Sequence, residues 1–295
     1  GPVRPHPNTG ICGFGMNTSV LQITDSNTDG FLFDRVPRAN RVRLDGFELR
    51  GPGPETASGV AIHFRDNGAD PVSDPADFSI GRLYCWAWNN SVYRVDEGVG
   101  PFQCRHDFLR MDDCDAGDED ALIEWRSSYG PANRFGTVVA YPSSGRSGAD
   151  SDLLYQRGGE ITIEDITTGT TTGRLVDTQN GRLHVGRLHY EPVGQRAVPE
   201  SLVRIGPDGA SRFGDVLVES GAVDYVYELG RGASNAVLFG PPGGRGTVRK
   251  NVVDVSGQLD DGISWYFGPV SDVDVTGSRR TGNLRVLGTA GRGVG

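Results

Sequence analysis

Four carboxylates, Asp112, Asp113, Glu164 and Asp165, are placed where this chain could do acid–base chemistry. Each lies at or beside a short apolar segment of a kind that recurs along the chain, so stacked repeats would bring them into columns. If Met111, Ile163 and Val185 take equivalent inward positions, Asp112 and Glu164 share one outward column, and Asp113, Asp165 and Arg187 share the next. With one repeat between them, Asp113 and Asp165 would stand roughly 10 Å apart, two sheet spacings of about 4.8 Å. That is close to the upper end of the range, about 6.5–9.5 Å, for a carboxyl pair that admits a water beside a glycosidic bond. The simpler reading is a ladder of surface charges partnered by Arg82 and Arg187. A one-residue slip would carry the whole column to the other face.

The aromatic signal is sharper. In Tyr84-Cys-Trp-Ala-Trp88 the rings fall at alternate positions and share one face of a strand, while Leu83, Cys85 and Ala87 share the other. An outward row of this kind is a platform for sugar rings, unless the insertion at 99–107 folds over it. Trp125, Trp265 and Tyr266 are candidates for the same or another carbohydrate-binding surface. Asp25, Asn27 and Asp29 match the first half of a calcium loop, but Val36 replaces the glutamate such a loop ends on. They are metal candidates only as a calcium turn between strands, with an ordinary Asx-rich turn as the alternative. The acidic run at 112–120, near Glu124, is either a calcium or acid–base site or a solvated turn. No motif requires a cofactor, and calcium is the ion these residues would take. His184 and His189, five apart on a strand, are predicted to face opposite sides. Nucleophile-elbow, zinc-protease and phosphate-loop motifs are missing from the sequence.

Short strands must position these residues. Ile161-Thr-Ile-Glu-Asp-Ile166 superimposes on Leu183-His-Val-Gly-Arg-Leu188 with a period of 22 residues. A unit of two short strands and glycine-rich corners cannot bury its own apolar face, but stacked copies can, and this period is the sign of a solenoid. Apolar–polar alternation begins at 41–51 and 58–64 and continues through 78–85 with 91–95 and 108–111 with 121–125. It runs on to 273–275 with 284–287, about nine coils in all. The expected organisation is an irregular N-terminal cap over 1–40, a parallel β-helix over 41–290 and a Gly-rich tail over 291–295. With nothing obvious to cap the far end, a homo-oligomer or a longer parent chain is expected.

Composition narrows the function classes. Arginine occurs 28 times and lysine once, aspartate 27 times and glutamate 11 times, and the net charge is −9. An acidic chain is a poor partner for nucleic acid, whose phosphates need a basic surface. The imbalance reflects either the codon bias of a high-GC genome or adaptation to salt, as in a halophilic source. The 44 Gly and 17 Pro suit frequent turns between strands. No apolar run approaches the roughly 18–20 residues of a membrane span, and no leader is legible at the start. Cys12, Cys85, Cys104 and Cys114 lack zinc spacing. They are read as buried thiols or as disulfides, with disulfides preferred for an extracellular chain.

Phrases such as Val42-Arg-Leu-Asp-Gly-Phe-Glu-Leu49 and Ser58-Gly-Val-Ala-Ile-His63 resemble the right-handed parallel β-helix superfamily, the pectate-lyase-like fold. The resemblance covers about residues 40–290 and is specific for fold rather than reaction. It implies an all-β solenoid working on glycans at an extracellular or virion surface. The first expectation is a tailspike, tail-fibre or adhesin module that binds polysaccharide along its side. The alternative is a secreted polysaccharide lyase or glycoside hydrolase using Asp112, Asp113, Glu164 and Asp165.

Overall fold

The computed structural model describes residues 1–34, 41–53, 56–66, 68, 75–117, 120–141, 151–169, 173–191, 199, 201–206, 209–219, 222–223 and 225–229. Beyond these it describes only the backbone of strands as far as Arg285–Leu287. Every assigned element is a β-strand, and every strand pairing is parallel. The chain passes back and forth between a 13-stranded and a 10-stranded sheet, which makes it a parallel β-solenoid. No helix among the described residues is long and apolar enough to cross a membrane.

The predicted register holds where the period was legible. Ile161 lies opposite Leu183, Ile163 opposite Val185 and Ile166 opposite Leu188, and all six are buried. The regular body consists of six long rungs in the larger sheet, from Ser79–Trp86 to Gly209–Val218. Shorter strands extend the sheets at both ends, so the stack is not nine equal coils. Residues 10–34, expected within an irregular cap, contribute strands of their own. Gly10–Cys12, Val20–Gln22 and Phe31–Asp34 pair in parallel with Arg43–Asp45, Phe47–Arg50 and Ile62–Arg65.

Each long rung of the larger sheet breaks its own alternation once. Ile163 and Ile166 both point inward, as do Val185 and Leu188, Phe135 and Val138, and His106 and Leu109. The two residues between each pair therefore face outward together, and the sheet bends along that line. Glycine recurs on the bend because the rungs crowd there. A Cβ at Gly136 would sit 2.5 Å from the Asp107 carbonyl oxygen, and one at Gly186 would sit 2.6 Å from that of Glu164.

Inside the tube, the N-terminal half is aromatic. Phe33, Phe64, Phe78, Tyr93, His106 and Phe135 pack in stacked, edge-to-face and tilted contacts with centroids 4.5–5.6 Å apart. The cysteines are free: Cys12 is exposed, and Cys85, Cys104 and Cys114 are buried. The preference for disulfides is thus corrected. These three thiols pack as small apolar groups in the core, and burial pushes those of Cys104 and Cys114 up to about 12.

The outer face of the smaller sheet carries a ladder of charge. His63, Arg94, Glu124, Tyr155, Asp177, Arg204 and Glu228 follow one another rung by rung. His63 bridges Asp29 (2.9 Å) and Asp96 (3.2 Å), and Arg204 lies between Asp177 and Glu228. Beside this ladder, burial pushes Asp152 up to about 6; the nearby Asp177 charge adds to that, against the Arg174 N–H that it accepts. The folded pKa is thus above the unfolded value of about 3.9, so this group's stabilising share is complete below pH 4 and is lost as pH rises through 6. Asp152→Asn keeps the acceptor for Arg174 and removes the charge. Its urea midpoint at pH 8 should rise by an equivalent of about 1–3 kcal/mol, and the gain should vanish near pH 4. A lower midpoint at pH 8 would contradict the assignment.

Candidate functional site

The bend gives the larger sheet's outer face its shape. On one side of it runs a column of Arg43, Ser79, Arg105, Arg134, Thr162, His184 and Arg212. On the bend itself Asp45, Gly81, Asp107, Gly136, Glu164, Gly186 and Gly214 succeed one another. Acid and glycine therefore alternate over six rungs, Asp45 to Gly186. The glycines leave a crease in the sheet; Asp107 and Glu164 stand out from it, while the Asp45 carboxyl folds over Gly81.

Two hollows lie end to end along this crease. The first, about 720 Å³, is lined by Phe14, Met16, Arg43, Asp45, Arg82, Asp107 and Phe108, with glycines 13, 15, 46 and 81. Its end wall is the turn at 13–18, tied down by Gly13 N–H to Asp45 O and Gly15 N–H to Gly46 O, each 2.8 Å. The Phe14 side chain projects from this turn 97% exposed. The second hollow, about 510 Å³, is lined by Arg134, Glu160, Thr162, Glu164, His184 and Gly186 with three neighbours. Together the hollows cover six successive rungs, a length of about 24 Å.

Carboxylates on and beside the crease are matched to arginines. Asp45 accepts from Arg43 at 2.7 Å and from the Arg82 backbone N–H at 2.9 Å, and these hold its pKa below the usual carboxylate range. Arg105 reaches Asp107 at 3.3 Å, Arg134 pairs with Glu164, and Arg187 pairs with Asp165 at 2.6 Å. Such pairs offer donor and acceptor side by side, as a sugar's neighbouring hydroxyls require.

The four predicted carboxylates do not meet. Met111 is aligned with Ala140 and through it with Thr168, not with Ile163. Asp112 therefore lies about five residues, roughly 16 Å, along the strand from the Glu164 position. Of the proposed columns only Asp165 beside Arg187 survives. Asp113 sits in a turn with φ 54° rather than on the strand. The same bend corrects the histidines: His184 and His189 both lie on the outer face, because the step from Val185 to Leu188 reverses parity between them.

Asp112 and Asp113 instead serve the aromatic row. Tyr84 and Trp86 point outward as predicted. The Tyr84 hydroxyl donates to Asp112 and Trp86 Nε1 to Asp113, each at 3.1 Å. Arg110 lies over the Tyr84 ring and pairs with Asp112 at 2.8 Å, and Arg50 lies 4.9 Å over the Trp86 ring. The rings are thus covered by the protein's own guanidinium groups and half-buried, not bare. Trp88 does not join them. Ala87 takes φ 60°, which ends the strand alternation and turns Trp88 fully into the core. Trp125 is also fully buried, its Nε1 donating to Tyr129 O. Trp265 and Tyr266 lie on the strand Ser264–Phe267, in register with Leu238 and Phe239, and their side chains are outside the described residues.

The calcium turn is not assembled. Both Asp29 oxygens are taken, one by the Val60 N–H at 2.8 Å and the other by His63 at 2.9 Å. Asp25 is exposed and faces the N-terminal ammonium at 3.9 Å, and Asn27 donates its backbone N–H to Ala57 O. Among the described residues no group of three or more His, Cys, Asp or Glu is arranged to hold a metal ion. In the acidic run, Asp115 accepts from Ser151, and Asp120 and Glu124 pair with Arg126.

Sequence reasoning missed Phe14, Arg43, Asp45, Asp107 and Arg134. The available signal was the three-residue step between apolar positions, as in Ile163 to Ile166 and Val185 to Leu188, which marks a bend and two outward neighbours. Comparison of the chain with protein-family models, with curated proteins and with solved structures finds no match.

Proposed function

We propose that this chain is a polysaccharide-binding β-solenoid module, taking an extended glycan along the crease of its larger sheet. The observation that carries the reading is the crease itself: two open hollows end to end over six rungs, along which glycines alternate with acids paired to arginines, headed by an exposed Phe14. Open grooves with aromatic and paired polar walls suit a long, hydroxyl-rich ligand better than a small molecule, which needs enclosure. On the resemblance to right-handed β-helices of the tailspike and adhesin kind, the module works at an extracellular or virion surface. The alternative is a secreted lyase or hydrolase. Its best footing is Asp107 and Glu164, two rungs or about 9.6 Å apart, near the span of an inverting pair.

Phe14→Ala tests the binding reading cleanly, because removing so exposed a side chain leaves the core untouched. Affinity for a glycan ligand, measured by titration calorimetry, should fall about tenfold, the equivalent of one stacked ring. Unchanged affinity in both Phe14→Ala and Glu164→Ala would remove the crease as the site. Release of reducing ends or unsaturated uronates from a polysaccharide would favour the enzyme.

A further inference from the structure

Resting on the crease as a glycan site, we infer that its ligand is an uncharged glycan whose alternate sugars face the same way, read one disaccharide at a time. The spacing of the acids along the crease carries this. Asp45, Asp107 and Glu164 stand on every second rung, with Gly81 and Gly136 between them. Asp107 and Glu164 thus stand about 9.6 Å apart along the solenoid axis, while the Asp45 carboxyl leans over Gly81 onto the Arg82 N–H. A chain with a twofold repeat presents the same hydroxyl edge at every second sugar, a distance close to this one. A helical glycan that meets one of these two acids would turn its edge away from the other.

Charge balance decides the class. The three acids are partnered by Arg43, Arg105 and Arg134. Two of the pairs reach well into solvent, Asp107 at 56% and Glu164 at 52% side-chain exposure. A uronic acid chain would set a carboxylate against each acid, and a polycation would meet each guanidinium. Hydroxyl groups satisfy both, donating to the carboxylate and accepting from the arginine. Phe14 adds a flat apolar surface at the head of the row, where one sugar face can stack.

The experiment is a calorimetric length series with three probes: cello-oligosaccharides as the neutral twofold chain, malto-oligosaccharides as the neutral helical chain and oligogalacturonates as the acidic chain. The expected result is binding of the cello series, insensitive to salt. Affinity should rise from four to six sugars, with little gained at five. Asp107→Ala should weaken the hexasaccharide about tenfold, the equivalent of one lost charged hydrogen bond. Affinity that grows evenly with each sugar, or that favours the malto series, overturns the disaccharide register. Preference for oligogalacturonate with steep salt dependence overturns the uncharged class, and leaves the groove in place. No binding by any probe overturns the groove reading and this inference with it.

Discussion

Trp88→Ala is expected to cost about 3–5 kcal/mol of folding stability, the range for deleting a large aromatic side chain from a packed core. Trp88 has no exposed surface, and its Nε1 donates to the Leu49 carbonyl at 3.0 Å. Two glycines make room for it. A Cβ at Gly30 or at Gly51 would come within 3.1 Å of the indole ring. Alanine would therefore leave a cavity between rigid backbone walls and remove the hydrogen bond to the Leu49 carbonyl. Urea unfolding checks this, with Trp86→Ala as the comparison. Trp86 lies half-exposed under Arg50 and should cost much less. Equal and small losses at the two positions would mean that Trp88 is not the core residue it is taken to be.

Acid should weaken the fold steeply, and His106 supplies the largest single share. It is buried inside the tube, facing Phe78, Tyr93 and Phe135, with the Tyr93 hydroxyl 3.1 Å from Nε2. Burial pushes its pKa down to about 3. The unfolded chain, with a histidine pKa near 6.5, binds this proton far more readily. A depressed folded pKa means that the stabilising share is complete above pH 6.5 and is lost as pH falls towards 3. The slope is about 1.4 kcal/mol per pH unit, on the order of 4–5 kcal/mol in total. Asp29 and Asp96 add to the loss: burial raises both pKa values, but the hydrogen bond and charge of His63, backbone N–H donors and a nearby arginine together outweigh it and lower them. His63 acts in the opposite sense. Burial opposes its charge, but its two carboxylate partners raise its pKa, so its share is complete below pH 6.5 and falls as pH rises. Denaturation midpoints of wild type and His106→Phe across pH 3–8 separate these contributions. The variant should lose most of the slope between 6.5 and 3, whatever its absolute stability. An unchanged slope would show that the buried imidazole does not control acid unfolding.

The binding predictions follow a different logic from these two. Phe14 and Asp107 lie on the outside, so their removal should be silent in unfolding and visible in titration. Trp88 and His106 lie inside, so any effect of theirs on binding should come with loss of fold.

Sequence alone determined the parallel solenoid and part of its register. With one face of each strand buried, a period of two residues fixes which side chains go in, and a 22-residue repeat with no insertion fixes which rung they meet. Ile161 over Leu183 and Asp165 beside Arg187 were legible for that reason, as was the outward face of Tyr84 and Trp86. Only the tertiary structure decided which carboxylates become neighbours. Corner loops differ in length from coil to coil, so Met111 slides five residues from the partner its pattern suggests, taking Asp112 and Asp113 to the aromatic row. The bend was half legible, since the three-residue step from Ile163 to Ile166 marks it within one strand. What lines it was hidden: the register between rungs sets Asp107 and Glu164 in line with Gly81, Gly136 and Gly186, and register between rungs is not a property of any one strand. The alternation of acid and glycine along the crease follows from that register.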